Sequence, residues 1–249
     1  MAENPLLKRR AFFKLCASAA AMITASPRLL AQQDGTARRY QRARLVDERQ
    51  QPIKVADLEE GETYLFHYPF VSTPCFLLDL GQPATRQASL RTEDGRSYTW
   101  RGGVGPRRSV VAYSAICAHK MTHPAPSVSF INYRHSPVDF LDNDKNRTRR
   151  EHVIYCCSEK SVYDPMQGGR VLGGPAPQPL AAILLEYDEK DDALAAIGTY
   201  GGEMFDRFFR EFGFRLQLEH KVADVRERVD GTAAVVRLAD YCASQVLCG

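Results

Sequence analysis

Two short segments of this 249-residue chain carry side chains that can bind a transition metal. Cys117 and His119 stand two positions apart in the first segment, and Cys156 and Cys157 are adjacent in the second. Thiolates and imidazoles are ligands that suit zinc, copper and iron. A Cys-x-His step places both side chains on the same side of a tight loop. The four residues Cys117, His119, Cys156 and Cys157 are therefore candidate metal ligands.

The residues after the second segment extend this pattern. Ser161-Val162-Tyr163-Asp164-Pro165 follows the Cys pair, and Gly173-Gly174-Pro175-Ala176-Pro177-Gln178-Pro179-Leu180 follows in turn. In this order the motifs resemble the Rieske iron–sulfur family over about residues 105–200. In Rieske centres two Cys hold one iron of a [2Fe–2S] cluster and two His hold the other. The resemblance implies such a cluster, with Cys117 and a Cys from 156–157 on the buried iron, His119 on the outer iron, and the Pro-rich segment as a rigid third wall.

The second loop departs from the family at the fourth ligand. Counting back from Ser161 to Asp164 without a gap puts the ligand Cys at Cys156 and the His position at Glu159. One deletion puts them at Cys157 and Lys160. A carboxylate is a harder, anionic ligand that should lower the reduction potential, and a lysine must first lose its proton. The sequence leaves four candidates open: Glu159, Lys160, His152 and His123.

The resemblance also assigns roles to residues beside the ligands. Thr122 and Ser158 stand where most Rieske loops carry extra Cys joined as a disulfide, which implies a subtype without that bond between the loops. Ser161 and Tyr163 match positions that hydrogen-bond a cluster sulfur or a ligand Cys sulfur. Such donors withdraw charge from the cluster and raise its potential.

The N-terminal residues are predicted to be a targeting segment. Lys8-Arg9-Arg10-Ala11-Phe12-Phe13-Lys14 is typical of a twin-arginine signal, and an apolar run and a cleavage point at Ala31 follow. Residues 1–31 thus indicate export to the periplasm, with membrane contact only if the leader is retained. The alternative is a basic N-terminus of a cytosolic protein. Residues 32–50 are polar and Arg-rich and predict a flexible lead-in to a domain over 51–249.

Disulfides are a natural expectation for the remaining cysteines, because the periplasm is oxidising and favours them. Cys242 and Cys248 near the C-terminus predict a local disulfide, with a tether to a partner subunit as the alternative. Cys75 lies in an apolar strand-like run and is expected to be an inert buried thiol.

Local patterns predict a mainly β fold. Hairpins are expected where Gln87–Leu90 meets 97–100 and where 181–187 meets 193–198, and the charged stretch 135–151 is expected to be a surface loop and a candidate docking surface. Residues 202–212 have helical periodicity. With the resemblance, these patterns predict an antiparallel Rieske-like β-sandwich with cluster-binding loops at one end and a short C-terminal helix.

Composition and motifs together favour electron transfer. A net charge of +3 gives no case for nucleic acid, and no catalytic acid–base cluster or nucleotide-binding glycine loop is present in the sequence. The resemblance implies an electron-transfer component, rather than a self-contained enzyme, that serves a c-type cytochrome or the catalytic subunit of a periplasmic oxidoreductase. Two alternatives remain: a cluster-less subunit with a structural or partner-binding role, or a mononuclear zinc site that uses the four candidate ligands.

Overall fold

β-Strands dominate the part of the chain that the computed structural model describes, residues 37–201 and 203–249. The chain divides into Met1–Gly35 and Thr36–Gly249, and every described residue lies in the second unit. The predicted signal over residues 1–31 lies outside the described residues. The expectation of a mainly β fold is confirmed, and the predicted hairpins of residues 87–100 and 181–198 are both present.

The strands, numbered along the described chain, are β1 (Ala37–Val46), β2 (Tyr64–His67), β3 (Pro74–Asp79), β4 (Ala88–Arg91), β5 (Ser97–Trp100), β6 (Val110–Ser114), β7 (Ile131–Arg134), β8 (Val138–Leu141), β9 (Arg147–Arg150), β10 (Val153–Cys156), β11 (Ser161–Asp164), β12 (Arg170–Gly173), β13 (Ala182–Asp188), β14 (Ala193–Tyr200), β15 (Gly231–Ala234) and β16 (Val236–Arg237). The helices are α1 (Phe205–His220) and α2 (Leu238–Tyr241), with 3-10 turns at Val55–Asp57 and Pro165–Gln167.

The strands form two sheets and two separate hairpins. The larger sheet has eight strands in the order β15-β1-β14-β13-β6-β3-β2-β16. Its pairs are antiparallel except for the parallel pair of β1 and β15. The smaller, antiparallel sheet has the order β12-β11-β10-β7. The hairpins are β4–β5 and β8–β9.

The main core lies between the two sheets. Phe76 and Tyr113 of the large sheet and Ile154 and Tyr163 of the small sheet belong to one buried cluster and are each fully buried. Side chains that alternate along a strand reach opposite faces of the sheet. The inward faces of both sheets therefore share one apolar layer, as expected for a sandwich.

Within the Arg-rich lead-in predicted to be flexible, Ala37–Val46 instead form strand β1, and residues 32–36 lie outside the described residues. Its backbone pairs with β14 on one side and with β15 on the other. Ala43 and Leu45 are fully buried, whereas the guanidinium of Arg42 extends to an ion pair with Glu186 at 2.9 Å. The long-range backbone pairing therefore makes a strand of a segment whose composition is typical of a loop.

The stretch 135–151, predicted to be a surface loop, contains the hairpin β8–β9. Val138 and Phe140 alternate with exposed residues and pack against Val153, Tyr155 and Val162. These two buried side chains pack the short hairpin against the small sheet, although the surrounding residues are charged.

The helix predicted over residues 202–212 is longer than expected and does not end the chain. α1 has 16 residues, and its Phe205, Phe208 and Phe209 pack against Ile116 and Met121. The strands β15 and β16 and the helix α2 follow it. No helix among residues 37–201 and 203–249 is long and apolar enough to cross a membrane.

Candidate metal centre

The first candidate loop leaves β6 and turns back on itself at once. The Cys117 N–H donates to the Thr122 carbonyl oxygen at 2.8 Å, and the Met121 N–H donates to the Cys117 carbonyl oxygen at 3.0 Å. Met121 has a left-handed backbone with φ of 55°. Helix α1 holds the outside of the loop, because Arg207 donates to the His119 carbonyl oxygen at 2.8 Å.

The second candidate loop joins β10 to β11. Cys156 and Ser161 are paired across the two strands, so the loop leaves the sheet directly after the cysteine. Lys160 has a left-handed backbone with φ of 59°. Gly174 has φ of +86° and approaches the Lys160 carbonyl so closely that a Cβ at this position would overlap its oxygen. The Pro-rich segment therefore lies directly against the second loop.

Two free, buried thiols meet where the loops come together. Cys117 and Cys156 are both fully buried and outside any disulfide. The Cys156 thiol lowers the pKa of Cys117, while hydrogen bonding to Cys117 and burial raise the pKa of Cys156. One sulfur of the pair therefore favours the thiolate form, which is the form that binds a metal.

Tyr163 supports the Cys117 sulfur directly. Its hydroxyl lies 3.2 Å from Cys117 Sγ, and the Ala118 N–H donates to the same hydroxyl at 3.0 Å. Burial, followed by the neighbouring Cys117, raises the pKa of Tyr163 well above its usual value, so the phenol stays protonated. The Ser161 hydroxyl is buried, and hydrogen bonding from it also helps to lower the pKa of Cys117. Both hydroxyls are close to the thiols and can donate hydrogen bonds to sulfur.

His119 and Glu159 face each other, and a backbone hydrogen bond links each of them to one thiol, His119 to Cys117 and Glu159 to Cys156. Nδ1 of His119 is buried without a hydrogen-bond partner. Glu159 Oε2 lies 4.0 Å from it, and Glu159 Oε1 pairs with Lys120 Nζ at 3.0 Å. Of the four candidates for the fourth ligand, Glu159 is the one that contacts His119.

The histidines considered as replacements make other contacts. His123 Nδ1 hydrogen-bonds the Met121 carbonyl oxygen at 2.9 Å, and its ring packs against Phe208 of α1. His152 Nδ1 lies 2.7 Å from the Tyr133 hydroxyl, and its ring packs against His135.

Cys157 is removed from the candidate ligands. It forms a disulfide with Cys248, so its sulfur cannot become the thiolate that would bind a metal. The predicted Cys242–Cys248 disulfide is therefore wrong, and Cys242 is a buried free thiol. The zinc site predicted from Cys117, His119, Cys156 and Cys157 loses one of its four ligands. Lys160 also lies apart from the thiols, because its side chain is exposed along an outer cleft.

The donor set fits a [2Fe–2S] cluster at three positions and differs at the fourth. Within the described residues, no three or more His, Cys, Asp and Glu side chains are arranged to hold one metal ion. A two-iron cluster instead requires pairs of ligands from two loops, and the buried thiol pair with the unpartnered His119 nitrogen matches that requirement. Glu159, 4.0 Å from His119 Nδ1, has Lys120 as its ion-pair partner.

Three structural contacts of the loops were not predicted from the sequence. They are the Arg207 contact with His119, the Cys157–Cys248 disulfide, and an ion pair of Arg150 with the fully buried Asp164 at 2.6 Å. The Tyr-Asp-Pro motif singled out Asp164, but no local signal indicated its partner.

No protein-family model matches this sequence. Among solved structures, the chain is similar to the crystal structure of the soluble domain of the Rieske protein II (soxF) from Sulfolobus acidocaldarius. The sequences are 26% identical, the match covers 66% of this chain and 84% of that chain, and the TM-score is 0.43.

Proposed function

We propose that this chain is an exported Rieske-type [2Fe–2S] electron-transfer protein that relays single electrons to or from a redox partner protein. A c-type cytochrome or the catalytic subunit of a periplasmic oxidoreductase would be a suitable partner. The observation that carries the proposal is the meeting of two free buried thiols from separate loops, together with a buried His119 Nδ1 that has no hydrogen-bond partner. Unsatisfied buried polar atoms are rare in folded proteins, and an absent ligand is one explanation for them.

In this proposal each residue of the centre has a defined task. Cys117 and Cys156 would hold the buried iron, and His119 and Glu159 would hold the outer iron. When bound, the cluster would supply a one-electron couple. Tyr163 would donate a hydrogen bond to the Cys117 thiolate, and Lys120 balances the negative charge of Glu159. A carboxylate in place of the second imidazole should give a lower potential than two imidazoles.

The test is the iron and acid-labile sulfide content of the full-length chain purified anaerobically, with an EPR spectrum after dithionite reduction. We expect two irons, two sulfides and a rhombic reduced signal per chain. Cys156→Ser should abolish all three, whereas Cys75→Ser should not, because Cys75 is a free thiol that is equally buried elsewhere in the large sheet. Folded protein without iron would contradict the proposal.

A cluster-less subunit with a structural or partner-binding role is the second candidate. One observation favours it: the Glu159 carboxylate already has a partner in Lys120 at 3.0 Å and needs no metal to balance its charge. In that case the folded chain would contain no iron, and Cys156→Ser would leave partner binding unchanged.

Export is a separate part of the proposal and rests on Arg9 and Arg10. Replacing both with Lys should keep the chain in the cytoplasm when it is produced in a bacterium with a twin-arginine pathway, because that pathway reads the arginine pair. Immunoblots of periplasmic and cytoplasmic fractions would measure this. Equal export of both forms would contradict the assignment.

A further inference from the structure

A cleft of about 820 Å³ lies on the outer side of the second loop. The hairpin β8–β9 forms one wall, and Glu159, Lys160, Gly174 and Cys248 contribute to the others. Its volume falls within the range of small-molecule sites, roughly 300–1,000 Å³. A concave site of this size is therefore better suited to binding a small molecule than to binding the flat surface of a protein partner.

The cleft carries an excess of positive charge. Lys145, Arg147 and Lys160 all line it, and within the described part of the chain none of the three takes part in an ion pair. The two acidic residues that line it have basic neighbours. Glu159 pairs with Lys120 at 3.0 Å, and Asp139 stands opposite Arg149 across the hairpin. The three basic side chains therefore outnumber Asp139, the acidic side chain of the cleft for which the described residues provide no ion pair.

Apolar side chains line the same cleft. Phe140 and Tyr155 are buried at its base, and Leu141 is 52% exposed at its edge. The exposed Leu141 pairs across the hairpin with Arg147 and offers contact area to an apolar ligand group, which an inorganic anion alone would not use.

Lys160 occupies its position against its backbone preference. A left-handed φ of 59° disfavours every residue that has a Cβ, and glycine would adopt it without strain. Seven other described non-glycine residues have a positive φ, among them Lys145 of the same cleft. The ammonium group of Lys160 is the part of this residue that the cleft can use.

We propose that this cleft binds an organic anion in which a sulfonate, carboxylate or phosphate group is attached to an apolar body. The acid group would contact Lys145, Arg147 and Lys160, and the apolar body would contact Leu141. The inference goes beyond electron transfer and does not depend on a cluster, so protein without iron would leave it unaffected.

The first experiment compares two dyes that differ by one charged group. 1-Anilinonaphthalene-8-sulfonate has an apolar body with a sulfonate, and N-phenyl-1-naphthylamine has the same body without it. Fluorescence titration of the full-length chain should show one saturable site for the sulfonate. We expect affinity for the neutral dye to be at least about tenfold weaker, and sodium chloride should weaken binding of the sulfonate alone.

The second experiment locates the site with matched variants. Removing three charges in Lys145→Gln/Arg147→Gln/Lys160→Gln should weaken sulfonate binding at least about tenfold, because each exposed charge contributes a modest share. The control Lys54→Gln/Arg86→Gln/Arg228→Gln removes the same charge from exposed residues elsewhere and should change affinity less than about twofold.

A single substitution separates binding from folding. Lys160→Gly removes one cation and relieves the left-handed backbone, so it should weaken sulfonate binding while the melting temperature stays equal or rises. Equal affinity of wild type and the cleft triple variant, equal loss in the control triple variant, or equal affinity for both dyes would overturn the proposal.

Discussion

Cys157 in the second candidate loop is bonded to Cys248, 91 residues further along the chain. The tail that carries Cys248 lies beside β7, where the Val246 N–H donates to the Ser129 carbonyl oxygen at 2.8 Å. Asn132 of β7 donates to the Val246 carbonyl oxygen at 2.9 Å. The disulfide therefore fastens the second loop to a tail that is itself hydrogen-bonded to the small sheet. It braces the loop from outside, whereas a disulfide between the two loops would clamp them to each other.

Breaking this bond should destabilise the fold. Cys248→Ser opens a covalent loop of 91 residues, for which chain entropy predicts a loss of roughly 4.6 kcal/mol in the free energy of unfolding. Urea unfolding of oxidised protein would measure it. Cys242→Ser changes a buried free thiol and should lose less than half as much. A Cys242–Cys248 peptide in a non-reducing digest would contradict the pairing.

Arg150 should be essential to the stability of the second loop. Asp164 is fully buried, and its carboxylate accepts from Arg150 at 2.6 Å and from the Met166 N–H at 2.9 Å. Arg150→Gln leaves a buried carboxylate without its counter-ion and should lower the free energy of unfolding by about 3 kcal/mol. Urea denaturation monitored by circular dichroism would measure this.

The neighbouring arginine provides the control for that prediction. Arg149 is exposed and stands opposite Asp139 on the surface of the hairpin. Arg149→Gln should change the free energy of unfolding by less than about 1 kcal/mol, as expected for a surface pair. Similar losses in the two variants would show that the buried Asp164 does not need Arg150.

The fold was predictable where local pattern determines it. The β13–β14 hairpin was predicted because two apolar runs flank an acidic turn, and the same argument located β4–β5. β1 was missed because its pairing partners, β14 and β15, are about 150 to 190 residues away, as in the pair of Arg39 and Gly198. Such pairing depends on backbone hydrogen bonds and on a few buried residues. The local amino-acid composition of β1 therefore does not reveal that it is a strand.

In the candidate centre, too, local motifs predicted some features, whereas features that depend on long-range contacts were missed. The motifs singled out Cys117, His119, Cys156 and Tyr163, and the structure brings all four together. They could not distinguish Cys156 from Cys157 as the free thiol, because the disulfide depends on where the tail folds. The contact of Arg207 with the His119 carbonyl oxygen could not be predicted either, because it joins α1 to a loop 88 residues away.

Glu159→His tests the fourth ligand position of the proposed cluster. The substitution replaces an anionic carboxylate beside His119 with a neutral imidazole, which should raise the reduction potential by on the order of 100 mV. A redox titration followed by EPR would measure the potential. The exposed Glu93→His serves as a control for added histidine and should leave it unchanged. An unaltered potential in Glu159→His would exclude Glu159 from the outer iron.

Acid should destabilise the protein through His67. Nε2 of this ring is buried without a hydrogen-bond partner, and the rings of His220 and Tyr241 lie 4.9 and 6.1 Å from it. Burial, followed by the positive charge of His220, lowers the pKa of His67 to about 3. Below the usual histidine pKa of about 6.5, His67 is therefore protonated in the unfolded chain but stays neutral in the folded chain.

The sign and size of the pH effect follow from that difference. Stability is fully present above about pH 6.5 and should fall by up to ~1.4 kcal/mol per pH unit as the pH drops towards 3. Urea unfolding at pH 7.5 and pH 5 would measure a loss of about 2 kcal/mol from this group. His67→Phe keeps a ring without a titrating nitrogen, so its loss should be smaller by that amount. An equal loss in wild type and variant would assign the acid sensitivity to other groups, such as His220, whose pKa is also lowered by burial.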